Sequence, residues 1–339
     1  MPAARQYAAM RPRSLRRLTA VIVASAPLAA AALFGETGSP AYAGPAAACG
    51  TAGVATVAAV DATAATDIYA NELSGTEVSF DAAQVTGAAD LLSAVAAGNR
   101  AAVLRAVTRI VYHPAWHIVR LRVIASSGQI LADFGGPYVI APVAGTLRLR
   151  GRGVGRFLMS VQDDTGYTKL ETRFIGDPIG IYLAGKLVAE RYAALPGAPP
   201  AAASLTLAHV AYRVLDETYN AFPSGTLSAV ILVPPAGSSL ERQPCTQVRS
   251  GEFGRIAERI ARLAPTIAQH YTGFARTAHL YTGAEIFVRQ GSRQIASSAG
   301  AGPPSLPTSG TVSYEGRPWL VFSFQPQPST RVYVLAPPA

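Results

Sequence analysis

The sequence predicts an α+β protein of two modules, each an antiparallel sheet of about five strands packed against helices, with a long helix leading into the first. Three observations predict it. Apolar residues keep helical spacing in the first part of the chain and then change to alternation. Gly, Pro and Asp-Thr-Gly turns cut the alternating part into short runs. One hairpin from the middle of the chain recurs without a gap near its end.

The N-terminal segment stands apart from both modules. Arg5, Arg11, Arg13, Arg16 and Arg17 precede an uncharged apolar run from Leu18 to Phe34, and Ala41-Tyr42-Ala43 follows. This is the layout of a signal peptide over residues 1–43, cut between Ala43 and Gly44. The alternative for the same run is an N-terminal membrane anchor. Both place the rest of the chain outside the cytoplasm, secreted or at the cell surface. Removing residues 1–43 takes away five arginines and Glu36, so the formal charge falls from +9 to +5. The remaining basic residues form no cluster dense enough to track phosphates, which argues against a nucleic-acid partner.

In order along the chain, Val54, Val57, Val60, Ala64 and Ile68 follow helical spacing. Leu91, Leu92 and Val95 begin a second helical stretch that resumes after Gly98-Asn99 through Val103, Val107 and Ile110. His117, Val119, Leu121 and Val123 then alternate with Ile118, Arg120, Arg122 and Ile124, and Ser127-Gly128 turns the chain into Ile130-Leu131, a strand hairpin. Leu147–Leu149, Phe157–Val161 and Tyr167–Phe174 read as three further strands. A helix is expected over Ile179–Ala194, and Pro196-Gly197-Ala198-Pro199-Pro200 reads as a linker. The first module is therefore placed at residues 44–195, the linker at 196–200 and the second module at 201–339. Beyond the linker, strand-like runs occupy Leu205–Val214, Thr218–Phe222 and Leu227–Val233. A helix follows through Phe253, Ile256, Ile260, Leu263 and Ile267, disturbed at Pro265.

The repeat joins Gly145-Thr146-Leu147-Arg148-Leu149-Arg150-Gly151-Arg152 to Gly310-Thr311-Val312-Ser313-Tyr314-Glu315-Gly316-Arg317. Gly128 and Gly291 mark corresponding hairpin bends upstream. A partial third echo pairs Val210, Tyr212 and Phe222 with Val312, Tyr314 and Phe324, and the module that owns this middle meander stays open. Shared turn chemistry between unrelated hairpins is the competing explanation for all of these matches.

A long helix, two strands, an irregular segment and three antiparallel strands, occurring twice in an exported protein, is similar to the tandem Cache sensor architecture, whose modules are PAS-like. Trp116–Ala132, Gly135–Pro142 and Gly145–Phe174 carry the resemblance in the first copy, and Ala284–Ser298 and Gly310–Leu335 in the second. The resemblance implies a sensor that binds an amino acid or small carboxylate in its first module, between a sheet face and the segment linking the second and third strands. The chain departs from the pattern in that no spanning helix and output domain follows, so the implied partner is a separate membrane-bound signalling protein.

Arg120 and Arg122 lie two apart on one strand and share a face, where two guanidinium groups could grip a carboxylate. A solvated strand face is the bland alternative. His117, Tyr138, Asp163 and Tyr167 complete the expected ligand site, although Asp163-Asp164 before Thr165-Gly166 also suits a hairpin turn. Arg289, Tyr314 and Trp319 are their counterparts in the second module. His113 and His117 have a metal-ligand spacing, but Pro114 between them disfavours the helix it requires, so no metal and no cofactor are expected. The only two cysteines, Cys49 and Cys245, read as a disulfide in an oxidising compartment; lipid attachment at Cys49 is the alternative. No nucleophile elbow or phosphate loop is present, and the chain reads as non-catalytic. The alternatives are an envelope protein-interaction module and a secreted hydrolase.

Overall fold

Helix-forming sequence leads, and the reason for each break is local. The computed structural model describes residues 48–50, 52–137, 140–235, 242–263 and 271–337. The signal peptide expected over residues 1–43 and the candidate Tyr138 lie outside the described residues. The chain runs through α1 (Ala52–Ser74), α2 (Thr76–Gly87), α3 (Ala89–Ala96) and α4 (Arg100–Val111). Gly98, at φ +64°, turns the chain between α3 and α4. Asn99 then caps α4 by accepting the Ala102 N–H at 3.1 Å.

Strands β1 (Arg120–Ala125), β2 (Ile130–Gly135), β3 (Val143–Leu149) and β4 (Arg152–Ser160) form a first antiparallel sheet in the order β2-β1-β4-β3. After α5 (Asp164–Phe174), strands β5 (Ile179–Leu183), β6 (Lys186–Arg191), β7 (Ser204–Leu207), β8 (Val210–Asn220) and β9 (Thr226–Val233) form a second, ordered β6-β5-β9-β8-β7. Helices α6 (Cys245–Leu263) and α7 (Tyr271–Thr282) lead to a third. Its strands are β10 (Glu285–Gln290), β11 (Arg293–Ser297), β12 (Ser309–Tyr314), β13 (Arg317–Gln327) and β14 (Thr330–Ala336), ordered β11-β10-β14-β13-β12. The second and third sheets thus share one connectivity, and the first follows it with one strand fewer.

The α+β class holds, but the sheets number three where two were expected. Two misread segments account for the difference. Tyr167–Phe174, expected as a strand, lies in helix α5, because Asp163 caps it by accepting the Gly166 N–H and Arg173 sits in its last turn. Ile179–Ala194, expected as a helix, is the β5–β6 hairpin, turned at Ala184 and Gly185 with φ of +50° and +75°. Residues 196–200, expected as a linker between modules, therefore connect β6 to β7 inside the second sheet, and that sheet owns the middle meander.

The eight-residue repeat falls on equivalent hairpins, β3–β4 and β12–β13. Both turn on two residues of positive φ, Arg150 and Gly151 in one, Glu315 and Gly316 in the other. Gly145 is needed for a different reason, since the Phe157 ring lies across it where a Cβ would stand. The partial third echo joined the wrong strands: Val210 and Tyr212 lie in β8, beside the edge strand β7 of its sheet, whereas Val312 and Tyr314 lie in β12, itself the edge strand of its sheet.

Two large cores organise these elements, with smaller apolar clusters around Tyr182 and Val230 of the second sheet and Phe287 and Leu335 of the third. Val85, Leu91, Val107 and Ile110 of α2, α3 and α4 pack on Leu121, Val123, Phe157 and Met159 of the first sheet. The second core is shared: Ile68 of α1, Tyr167 and Phe174 of α5, Ile256 and Ile260 of α6 and Phe274 of α7 meet Ile181 and Ile231 of the second sheet and Ile286, Val288 and Val334 of the third. The leading helix α1 thus serves the second and third sheets. Each fully buried Ile, Leu or Phe adds about 1.5–3 kcal/mol. The first sheet joins this body through the Ile140–Ala221 bridge and through Ser160, whose hydroxyl donates to the Ile140 carbonyl at 2.6 Å. Cys49 and Cys245 are disulfide-bonded, fastening the segment before α1 to the start of α6. No helix among the described residues is long and apolar enough to cross a membrane.

Candidate functional site

The two arginines share a face as their spacing requires, and they are engaged by a carboxylate of the same sheet. Arg120 donates through Nε and Nη2 to Asp133 Oδ1 and Oδ2, both at 2.9 Å. Arg122 donates to Asp133 Oδ2 from Nε at 3.0 Å and from Nη2 at 2.6 Å. Both guanidinium groups lie over the Phe222 ring, 4.8 and 5.8 Å from its centroid. Burial opposes ionisation of Asp133, but the bonds and charges of the two arginines outweigh it and hold the carboxyl below its ordinary range. The pair therefore ties β1, β2 and the β8–β9 turn together.

The other expected site residues do not gather around it. Asp163 is the N-cap of α5. Tyr167 is fully buried, with its hydroxyl 3.5 Å from the Ala65 carbonyl. His117 is exposed, contacts Glu77 through Nδ1, and its backbone N–H donates to Asp81 at 3.0 Å. His113 stacks on Trp116, with ring centroids 3.9 Å apart, and does not converge with His117. Among the described residues no group of three or more His, Cys, Asp or Glu side chains is placed to hold a metal. In the third sheet Arg289 is buried and donates to the carbonyls of Pro303 and Pro304, while the Trp319 indole donates to Tyr314 O at 3.1 Å.

His117 does line a cleft of about 630 Å³. The end of α1 gives it Asn71 and Glu72, the start of α2 gives Glu77, and the α4–β1 segment gives Tyr112 and Trp116–Val119. Val161 and Gln162 after β4, Leu170 of α5 and Tyr281 of α7 close it. No described lining residue is a lysine or arginine. A hollow of about 780 Å³ opens at the far end of the first sheet, between Gly98 and the hairpin turns, but its charged members, Arg150 and Arg152, are exposed.

Behind the 630 Å³ cleft lies a buried set of carboxyl and phenol groups. Glu72 is 9% exposed, and burial pushes its carboxyl up to about 6 against the opposing Asn71 amide. Glu171 of α5 is 2% exposed. Burial first, and then Glu217 and Glu72, push it up to about 8, although the Tyr167 hydroxyl beside it works the other way. That hydroxyl is turned toward Ala65, so neither Glu171 oxygen receives a well-formed hydrogen bond. Tyr281 is pushed up to about 12 by burial and by the Glu72 and Glu171 charges, and accepts from Asn71 Nδ2 at 3.4 Å. Tyr69 stacks on Tyr219 with centroids 4.0 Å apart and meets Tyr167 edge-on.

A second buried cluster joins α1 to α6. Arg255 donates from Nε to Glu252 at 2.6 Å, from Nη2 to Asp61 at 3.3 Å and from Nη1 to the Ile175 carbonyl. Burial raises the Asp61 carboxyl well above its ordinary range, helped by Glu252 and Asp177 and opposed by Arg255. Asp177 is pushed up to about 6, by burial first. Asp61, Asp177 and Glu252 thus surround one guanidinium, and the cluster faces no cleft among those described.

Among the described residues, the nearest approach to a hydrolytic constellation is Ser298, Glu285 and His279. The Ser298 hydroxyl donates to Glu285 Oε2 at 2.7 Å, and His279 Nδ1 lies 3.6 Å from the same oxygen. The carboxylate, not the imidazole, stands next to the hydroxyl, and Ser298 Oγ also accepts the Ile286 N–H at 2.8 Å. This arrangement ties the end of β11 to β10 and leaves the imidazole no path to the serine proton.

No family model matches the chain, and no curated protein matches it in sequence. The sheets, the disulfide and the cleft define an α+β protein of antiparallel sheets with one disulfide.

Proposed function

We propose that this is an exported, non-catalytic sensor-type protein whose small-molecule ligand occupies the cleft of Glu72, Trp116, His117 and Tyr281. The observation that carries the reading is the meeting, in one concave site, of aromatic side chains and a nearly buried carboxyl, with no lysine or arginine among the described lining residues. Two further features support it. The recurrence of one strand order in the sheets favours a modular, tandem sensor of the Cache and PAS-like kind, with a membrane-bound signalling protein as partner. The N-terminal segment and the Cys49–Cys245 disulfide favour export. Arg120 and Arg122 act in this reading as a clamp that fixes β1 and hence the α4–β1 wall of the cleft, since Asp133 already occupies their donors.

The test is a thermal-shift screen of the purified, disulfide-bonded protein against amino acids, small carboxylates, purines and amines. A ligand specific for the native state raises the melting temperature by mass action. The reading expects a hit that Trp116→Ala abolishes. A flat screen would overturn it and bring forward the envelope protein-interaction alternative.

A further inference from the structure

Resting on that reading of the cleft, we infer that its ligand is a small organic cation, an amine or quaternary ammonium, and that Glu72 is the counter-ion which gives up a proton when the ligand enters. Glu72 stands on the last turn of α1, almost wholly out of water, and lines the cleft together with Glu77 at the rim. A carboxylate there needs a positive partner, and no lysine or arginine among the described lining residues offers one. Trp116 and Tyr281 line the same space, and aromatic rings attract an alkylammonium.

The groups facing Glu72 come from every neighbouring element. Glu171 of α5 and Tyr281 of α7 are within reach of its charge, Glu77 of α2 and His117 of the α4–β1 segment line the same cleft, and Glu217 of β8 acts through Glu171. All but His117 are acids. Burial itself opposes a negative charge at Glu72 until a cation arrives, and Glu171 behind it, buried and lacking a well-formed hydrogen bond, supplies no positive partner. The balance is simple: the Glu72 carboxyl releases its proton to solvent, and the ligand's charge pairs with the carboxylate left behind. The raised Glu72 and Glu171 carboxyls agree with this arrangement.

The experiment is titration calorimetry of the disulfide-bonded protein with tetramethylammonium, choline and putrescine, at fixed ionic strength, with acetate and succinate as anionic controls. Repeating it in buffers of different ionisation enthalpy counts the protons released. The inference expects a cation to bind and the anions not to, with release of about half a proton or more at a pH of about 5.5, falling toward zero at about pH 8. Glu72→Gln should weaken binding about tenfold or more and abolish the release. Where that variant does not fold, the proton count on the unsubstituted protein decides. Cation binding unaffected by Glu72→Gln, or binding without proton release at acid pH, would overturn the inference. Anions that bind in place of cations, and are lost with Trp116→Ala, would overturn it while leaving the binding reading intact. No binding by any probe or screen hit would sink both.

Discussion

Arg122 and Asp133 are partners across the β1–β2 ladder, and their side chains meet at 2.6 Å while Arg120 reaches the same carboxylate from two positions along the strand. A pair of like charges on one strand face is repulsive unless something stands between them, and here a single carboxylate and the Phe222 ring do so. The relationship turns an apparent anion grip into an internal fastening between the first sheet and the β8–β9 turn.

Asp133→Asn should therefore destabilise the protein by about 1–3 kcal/mol, because it weakens charge-assisted bonds and leaves two half-buried guanidinium groups facing each other. Chemical denaturation at neutral pH measures it. The Asp133 carboxyl is held below its unfolded value, so its contribution is present above the unfolded pKa of about 4 and fades as pH falls through the lower folded value. The gap between variant and unsubstituted protein should narrow in strong acid.

Glu171 gives the opposite pH dependence. Its folded value, about 8, lies above that of an unfolded glutamate, so the folded state holds the extra proton. Stability from this group is complete below about pH 4.5 and is lost as pH rises through about 8, with a slope on the order of 1 kcal/mol per pH unit. Glu171→Gln keeps the shape and cannot ionise. Thermal melts from about pH 5 to about pH 9 should show a fall in the unsubstituted protein that this variant reduces between about pH 5 and about pH 8.

Arg255→Met should cost about 3–5 kcal/mol at neutral pH, since it leaves Asp61, Asp177 and Glu252 together without their cation. The loss should shrink in acid, where those carboxyls hold protons. Equilibrium unfolding at neutral and acid pH compares the two.

Reduction of the Cys49–Cys245 bond, or Cys49→Ser with Cys245→Ser, should lower stability by about 2–5 kcal/mol. The bond spans 196 positions of sequence and holds the segment before α1 against α6, where the Cys49 N–H also donates to Gln243 O at 2.7 Å. Denaturant unfolding with and without reductant measures the difference.

The sequence made some of this legible. Gly151 and Gly316 announce two hairpin turns, and the alternation around Arg120 and Arg122 places both on one face. The β7–β8 turn was hidden because Ala208 and His209 carry its positive φ values without a glycine. Helix α5 was hidden because its buried face, Tyr167, Thr168, Glu171, Thr172 and Phe174, is largely polar, so hydrophobic spacing could not reveal it. Asp163-Asp164-Thr165-Gly166 serves a helix cap as well as a turn, and only packing against α6 and the second sheet decides between them.

Of the expected site, His117 lines the cleft and the other described candidates serve the structure. Glu72 and Glu171 escaped notice because a glutamate on a helix ordinarily marks a solvated face. One signal was available: Asp61, Ala65, Ile68 and Glu72 follow one another by four, three and four, which sets two acids on the core face of α1. Acids spaced in step with a helix's apolar face are buried with it, and burial favours their protonated form.

The most direct test of the cleft is optical. The protein has two tryptophans, Trp116 in the cleft and Trp319 in the third sheet. In a Trp319→Phe variant, Trp116 is the sole indole and reports on that site alone. A ligand from the thermal screen should shift its emission saturably, with the same affinity that calorimetry gives. A ligand that stabilises the protein and leaves the Trp116 emission unchanged would contradict the placement of the site.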